Sequence, residues 1–197
     1  FIGDQTTRGL QVEAPVSMPY LWGALLGIPG FWVYYDQHLL TFQVTGTQID
    51  PVIAAMTPAL VVAMLVVAGL GVWAVTRGVR YATLFPTLSL AFVLGFIVFN
   101  KVGSPQYLCW LVPSVVLGLV IDRRRWMALT QLVYPLTYNG VLYPQLVPVS
   151  LLTLRNLVLC AMFVWMIVRL VSVARHAPAS TLSTRALPEN ATTGLVP

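Results

Sequence analysis

Charge is what this sequence has least of. Only 9% of its 197 residues are Asp, Glu, Lys or Arg, while 58% are hydrophobic, and a soluble domain is usually about one quarter charged. A water-exposed globule is therefore excluded, and an integral membrane chain is expected. Lysine occurs once, at Lys101, and there are six acids in all. Cysteine is limited to Cys109 and Cys160, both inside apolar runs, where a thiol behaves as a small hydrophobe. That placement offers no disulfide framework and no metal-ligand spacing. The two histidines, His38 and His176, stand in a loop and in the tail. No histidine lies near Ser104, so a serine nucleophile has no adjacent base. Zinc-type clusters, phosphate-cradling glycine loops and nucleotide fingerprints are also missing, so no metal and no cofactor is expected. The net charge of +5 does not point to nucleic acid, because the basic residues flank apolar segments with no soluble module to carry a binding face. They read as topology signals in a chain whose surrounding partner is membrane lipid.

What the sequence does have is apolar length. A polar opening, Phe1 to Ser17, precedes an aromatic segment from Met18 to Tyr35 that Pro19, Gly23, Gly27, Pro29 and Gly30 interrupt. At about 18 residues it is at the short limit for a crossing and reads as a re-entrant or half-span element. Asp36 to Asp50 reads as a polar loop, with Leu40, Phe42 and Val44 alternating with Thr41, Gln43 and Thr45 in the manner of a short extended piece. Spans are then expected at Val52–Val75, Leu84–Phe99, Leu108–Ile121, Trp126–Leu146 and Val147–Val173. Tyr134, Tyr138 and Tyr143 in the fourth of these suit an interfacial aromatic belt. From His176 onward, Ala, Ser, Thr and Pro without apolar period read as a disordered cytoplasmic tail, 176–197.

The expected fold is thus all-α: a polytopic transmembrane helical bundle over residues 1–175, with about five full spans plus the re-entrant or half-span element. Arg77 and Arg80, Arg123 to Arg125, and Arg169 with Arg175 fall on one side if the spans alternate. The positive-inside rule makes that side cytoplasmic. The chain opens at Phe1 without an initiator methionine, a basic n-region or a small-residue cleavage site. It is therefore expected to be a fragment whose beginning lies upstream.

On the opposite side stands the octapeptide Asn100-Lys101-Val102-Gly103-Ser104-Pro105-Gln106-Tyr107. It reads either as a good inter-helix turn with a snorkelling lysine or as a polar cluster placed at one membrane face for function. Arg8, Gln11, Glu13, Arg155 and Asn156 are the other polar groups in or beside the apolar segments. Arg155 lies about eight residues into the last span, or roughly 12 Å. An arginine at the bilayer centre costs about 2.5–3.5 kcal/mol on insertion scales. It either snorkels back to the interface or faces the bundle and meets an anion, such as a lipid phosphate. Lys101 on the same face would add a second cation. Glycosyl transfer would also need a carboxylate to accept a proton, and Glu13 and Asp4 are the acids of the polar opening.

Three stretches, Arg8-Gly9-Leu10-Gln11-Val12-Glu13, Asn100 through Trp110, and Leu154-Arg155-Asn156-Leu157, together resemble glycosyltransferase family 87. These are the polyprenol-phosphate-mannose-dependent mannosyltransferases of the glycosyltransferase C superfamily, and the likeness is to their C-terminal portion. The central stretch is also similar to the Asn-Lys-Val...Ser-Gln-Tyr motif of the catalytic subunit of the first mannosyltransferase of GPI-anchor synthesis. The resemblance runs from about Arg8 to about Val168. It implies a multi-pass cell-membrane enzyme that transfers mannose, with inversion, from a polyprenyl phosphate sugar donor to a lipid or glycan acceptor on the extracytoplasmic face. Lys101 and Arg155 would then lie near the donor phosphate, and Arg8, Gln11, Glu13, Asn100, Ser104, Gln106 and Tyr107 would shape the substrate pocket. The superfamily's base is an aspartate of the first extracytoplasmic loop, upstream of the matched region. No residue here matches it, which leaves the catalytic residue unknown and Glu13 as a weak candidate. Ala14-Pro15 also departs from the serine that usually follows the glutamate. An arabinofuranosyltransferase of the same architecture is an alternative, as is a non-catalytic subunit or a transporter of lipid-linked sugars. For a transporter one expects internal repeats, and none is visible.

Overall fold

The computed structural model describes residues 9–121 and 145–177. Its elements are β1 (Leu10–Gln11), α1 (Met18–Leu25), β2 (Trp32–Asp36), β3 (Thr41–Thr45), α2 (Ile49–Thr76), α3 (Tyr81–Phe99), α4 (Leu111–Ile121) and α5 (Leu146–Arg175). Short 3-10 turns cover Pro15–Ser17 and Pro105–Trp110. Among the described residues three helices, α2, α3 and α5, are long and apolar enough to cross a membrane.

The long helices form where apolar residues run on without a break, and local chemistry ends them. Gly78, at a φ of 74°, closes α2: its amide donates to Val75 O and the Val79 amide to Ala74 O. That is the double bond of a Schellman stop, which favours glycine at this φ. Asn100 ends α3 by turning to extended backbone, and its side-chain oxygen accepts the Val102 amide at 3.0 Å, an Asx turn. Pro58 and Pro86 are carried inside α2 and α3, as membrane helices tolerate.

Helix α3 packs against α2, α4 and α5, with Leu90, Ala91 and Leu94 fully buried at the centre of this core. Small residues allow the close approach: a Cβ on Gly71 would lie 2.9 Å from Leu88, and one on Gly95 would lie 2.8 Å from Met64 and 2.9 Å from Phe163. Such small-residue contacts are the usual means of helix packing in lipid. Outward, Val61, Val62, Leu65, Val66 and Val72 of α2 are exposed, and only 22% of that helix's apolar window is buried. A surface of that kind needs lipid around it.

A second core lies at the other end of the octapeptide. The hairpin β2–β3 pairs Trp32 with Thr45 through Asp36 with Thr41, and β1 adds to β3 with Leu10 opposite Val44, giving an antiparallel sheet in the order β1-β3-β2. Its apolar residues Leu10, Val12 and Val44 join Tyr20 and Leu21 of α1 and Val149 and Leu152 of α5. Trp22 Nε1 also donates to Thr153 Oγ1 at 3.0 Å.

The described residues are mostly helical, as expected, with three helices long enough to span where about five spans were expected over the whole chain; a three-stranded sheet accompanies them, and the alternating residues Thr41–Thr45, read as a short extended piece, form β3. The expected half-span at Met18–Tyr35 is not one continuous element. Gly27 and Gly30, at φ of 67° and 88°, end α1 and turn the chain into β2. Leu108–Ile121 is likewise divided, its start being 3-10 and its remainder α4. The span Trp126–Leu146, apart from its last two residues, and the tail beyond residue 177 lie outside the described residues.

At about 1.5 Å per residue, the 28 residues of α2 reach about 42 Å and exceed a hydrocarbon core of about 30 Å. Cysteines placed at exposed Leu40 and at Thr76, with Cys109 and Cys160 changed to serine, should therefore be labelled from opposite sides by an impermeant thiol reagent in sealed vesicles. Labelling of both from one side would mean that α2 does not cross.

Candidate functional site

The site is built where three elements meet: the loop after β1, the octapeptide after α3, and the first turns of α5. After pairing with β3 the chain turns sharply. The Val12 amide donates to Phe42 O at 3.2 Å and the Ala14 amide to Gln11 O at 3.1 Å. Pro15 opens a 3-10 turn, and the buried Ser17 hydroxyl shares its proton between Val12 O and Ala14 O, at 2.6 and 2.7 Å. Glu13 is left at the apex.

The octapeptide lies directly on this apex. The Gln11 amide donates to Lys101 O at 3.2 Å, and a Cβ on Gly103 would fall 2.5 Å from Ala14 N and from the Glu13 carbonyl carbon. Both are main-chain atoms, so only glycine permits the approach. From the other side α5 presents Arg155 and Asn156, 3% and 0% exposed. Arg155 donates through Nε and Nη2 to Asn156 Oδ1 at 3.0 and 2.8 Å, and Nη2 also donates to the Glu13 carbonyl.

Two clefts open on either side of Val102 and Tyr107, which line both. One, of about 370 Å³, is walled by Gln11, Val12 and Glu13, by Leu40, Thr41 and Phe42 of the hairpin, and by Val102, Gly103, Ser104, Gln106 and Tyr107. The other, of about 340 Å³, has Asn100 and Lys101 at its polar end and Met56, Leu60, Phe96, Phe99 and Trp110 among its walls. The rings of Phe96, Tyr107 and Trp110 pack together at 4.7–5.6 Å. The hairpin wall is stiffened by Gln43, whose Nε2 donates to Asp36 Oδ2 at 2.9 Å and whose Oε1 accepts the Tyr34 hydroxyl at 3.1 Å.

Of the residues expected at a site, Gln11, Glu13, Ser104, Gln106 and Tyr107 line the first cleft, and Asn100, Lys101 and Tyr107 the second. Arg155 is on neither wall and spends its donors on Asn156 and Glu13. Arg8 lies outside the described residues. Sequence reasoning missed Thr41 and Phe42 as cleft wall, and Gly103 as the contact point. The alternation in Thr41–Thr45 was the available signal, since it implies a strand with one face turned inward. Among the described residues no three His, Cys, Asp or Glu side chains gather as a metal site.

Burial governs the electrostatics. Glu13 Oε2 is buried without a hydrogen-bond partner among the described residues. Burial pushes the carboxyl up to about 7, with the Arg155 charge pulling partly the other way. Lys101 is buried, and that lowers its pKa from the ordinary lysine range; an anion beside it would favour the charged form. The site can therefore offer a proton acceptor near neutrality, a cation beside apolar walls, and neutral hydrogen-bonding groups between them. No family model matches the chain, and no curated protein or solved structure matches it either.

Two outcomes are expected. Gly103→Ala should destabilise the protein by about 1–3 kcal/mol, because the added methyl meets backbone that cannot rotate away. Thermal unfolding in detergent measures it, and an unchanged midpoint would mean that the two loops do not touch. Glu13 favours its protonated form in the fold, so its contribution to stability is full below about pH 4.5 and is lost as pH rises through about 7. Glu13→Gln should remove that decline, which a pH series of unfolding midpoints would reveal.

Proposed function

We propose that this chain forms the sugar-transfer site of a membrane mannosyltransferase. In this reading it moves mannose from polyprenyl phosphate mannose to a lipid-linked or cell-envelope glycan acceptor on the extracytoplasmic face of the cell membrane. The observation that carries the reading is the pair of clefts divided by Val102 and Tyr107: one polar and holding Glu13, the other apolar-walled and ending at Lys101. An amphiphilic donor requires that combination, since its sugar needs hydrogen bonds while its chain needs apolar walls. The likeness of Asn100–Trp110 to the family motif supports the choice of donor.

In the proposed reaction an acceptor hydroxyl oxygen attacks the anomeric carbon from the face opposite the phosphate. The bond from that carbon to the phosphate oxygen breaks, and its electron pair leaves with the polyprenyl phosphate. Glu13 takes the hydroxyl proton, a role suited by a carboxyl poised near the working pH. Lys101 lies toward the departing phosphate, where negative charge grows. Ser104, Gln106 and Thr41 offer hydrogen bonds to sugar hydroxyls, and Tyr107 separates sugar from chain.

The decisive measurement is transfer of radiolabelled mannose from polyprenyl phosphomannose in membranes holding the full-length protein. Transfer is expected, with an acid limb of kcat/KM near pH 7. Glu13→Gln should lower it by roughly 10²–10⁴, and Lys101→Met by about 10²–10³. Absence of mannose transfer, or full activity in both variants, would overturn the assignment.

A further inference from the structure

We infer that Arg155 is a positioning residue, which ties the Glu13 main chain to α5 and so sets where the Glu13 carboxyl stands in the polar cleft, and that it does not meet the donor phosphate. The inference rests on the mannosyltransferase reading for its kinetic consequences, but on geometry for its content. Arg155 is 3% exposed and lines neither cleft. Its Nε and Nη2 converge on Asn156 Oδ1 at 3.0 and 2.8 Å, which fixes the plane of the guanidinium. Nη2 is then directed at the Glu13 carbonyl, 142 residues away in sequence.

The other side of the same peptide is closed by Gly103, where a Cβ would meet Ala14 N and the Glu13 carbonyl carbon at 2.5 Å. Glu13–Ala14 is thus clamped between α5 and the octapeptide, with Ser17 Oγ holding the turn from within. Asn156 contributes in a second way. Its Oδ1 serves the guanidinium while its Nδ2 is buried without a partner among the described residues, so within that part of the chain the amide's orientation is set by the arginine. Among the described residues, the charged side chains of the two segments that clamp the loop are Lys101 of the octapeptide and Arg155, Arg169 and Arg175 of α5, the last two lying toward the far end of that helix; Asp36 stands in the neighbouring hairpin. The Asp36 carboxylate accepts from Gln43 Nε2 and from the amides of His38 and Leu39.

A tether and a phosphate ligand answer differently to substitution. Lysine keeps the charge but offers no planar fork that can serve Asn156 and the carbonyl together. A phosphate ligand would be largely restored by lysine, whereas a tether would not. Mannose transfer by the full-length protein should be followed against donor concentration and pH for Arg155→Lys and Arg155→Met, with Lys101→Met alongside. We expect both Arg155 variants to lose roughly tenfold or more in kcat with little change in donor KM, as misplacement of a reacting group does. The acid limb of Arg155→Met should move to higher pH, because the cation that opposes protonation of Glu13 is gone. A raised donor KM in Arg155→Met that Arg155→Lys restores would overturn the inference.

A second measurement does not depend on turnover. The Glu13 carboxyl can be titrated by infrared difference spectroscopy in purified protein, its band assigned by loss in Glu13→Gln. The midpoint is expected to rise in Arg155→Met and to move in Arg155→Lys as well, because lysine keeps the charge but loses the fork that holds the loop; a midpoint that Arg155→Lys leaves unmoved overturns the tether. If no mannose is transferred, the functional reading fails alone and this titration still decides the role of Arg155.

Discussion

A buried arginine has to place its donors somewhere, and in this molecule it places them on the main chain of a distant loop. The hydrogen bond from Arg155 to the Glu13 carbonyl joins two bodies that are otherwise packed by different means. On one side is a helical core around α3, dense with Leu and small residues and surrounded by lipid-facing valines. On the other is a sheet with a short helix against it, closed by Leu10, Val12 and Val44. The helical core gains from close contact and not from escape from water, because lipid is as apolar as the core itself. The sheet core gains from burial in the ordinary way. Without partners at their junction, Arg155 and the Asn156 oxygen would be buried polar groups with a penalty of several kcal/mol; with them, they become the polar fastening between the two, beside Val149 and Leu152 of α5 in the sheet core and the Trp22–Thr153 hydrogen bond.

That fastening explains why polar residues gather at one level. The Gln11 amide and the Lys101 carbonyl bridge loop to octapeptide, and the Glu13 carbonyl bridges loop to helix through Arg155, whose guanidinium is held by the Asn156 amide oxygen beside it on α5. The side chains of Glu13, Ser104, Gln106 and Tyr107 line the cleft beside them. A cleft results because backbone groups have satisfied one another and freed the side chains to line it. Gly103 is what keeps the two backbones near enough for this to happen.

The long helices were legible in the sequence because lipid imposes a single demand, apolar length, that no local feature can disguise. Val52–Val75 and Val147–Val173 lie within α2 and α5, and Leu84–Phe99 lies within α3. The sheet was only half legible. Alternation over Thr41–Thr45 was visible, but β1 is two residues long and exists only because β3 offers it an edge. In Met18–Tyr35 the prolines and glycines were visible, yet whether they kink one element or separate two depends on the positive φ at Gly27 and Gly30, which composition does not state. At the site, residue types were legible and pairings were not. Arg155 reads as a cation that either snorkels to the interface or meets an anion, and its acceptors among the described residues are two uncharged oxygens, because a carbonyl and an amide suffice where a full anion would itself have to be desolvated.

The separation of 142 residues between Glu13 and the arginine that fastens it has a consequence for biosynthesis. The loop leaves the ribosome early and its anchor leaves late, on the last of the described helices. Hairpin and spans can form in sequence order, but the Glu13 turn has no support from α5 until that helix has entered the bilayer. Closing so long a loop carries an entropic cost that grows slowly with its length, so the delay is one of order and not of energy. Within the described part of the chain, the cleft takes its final form only after the bundle around it has assembled.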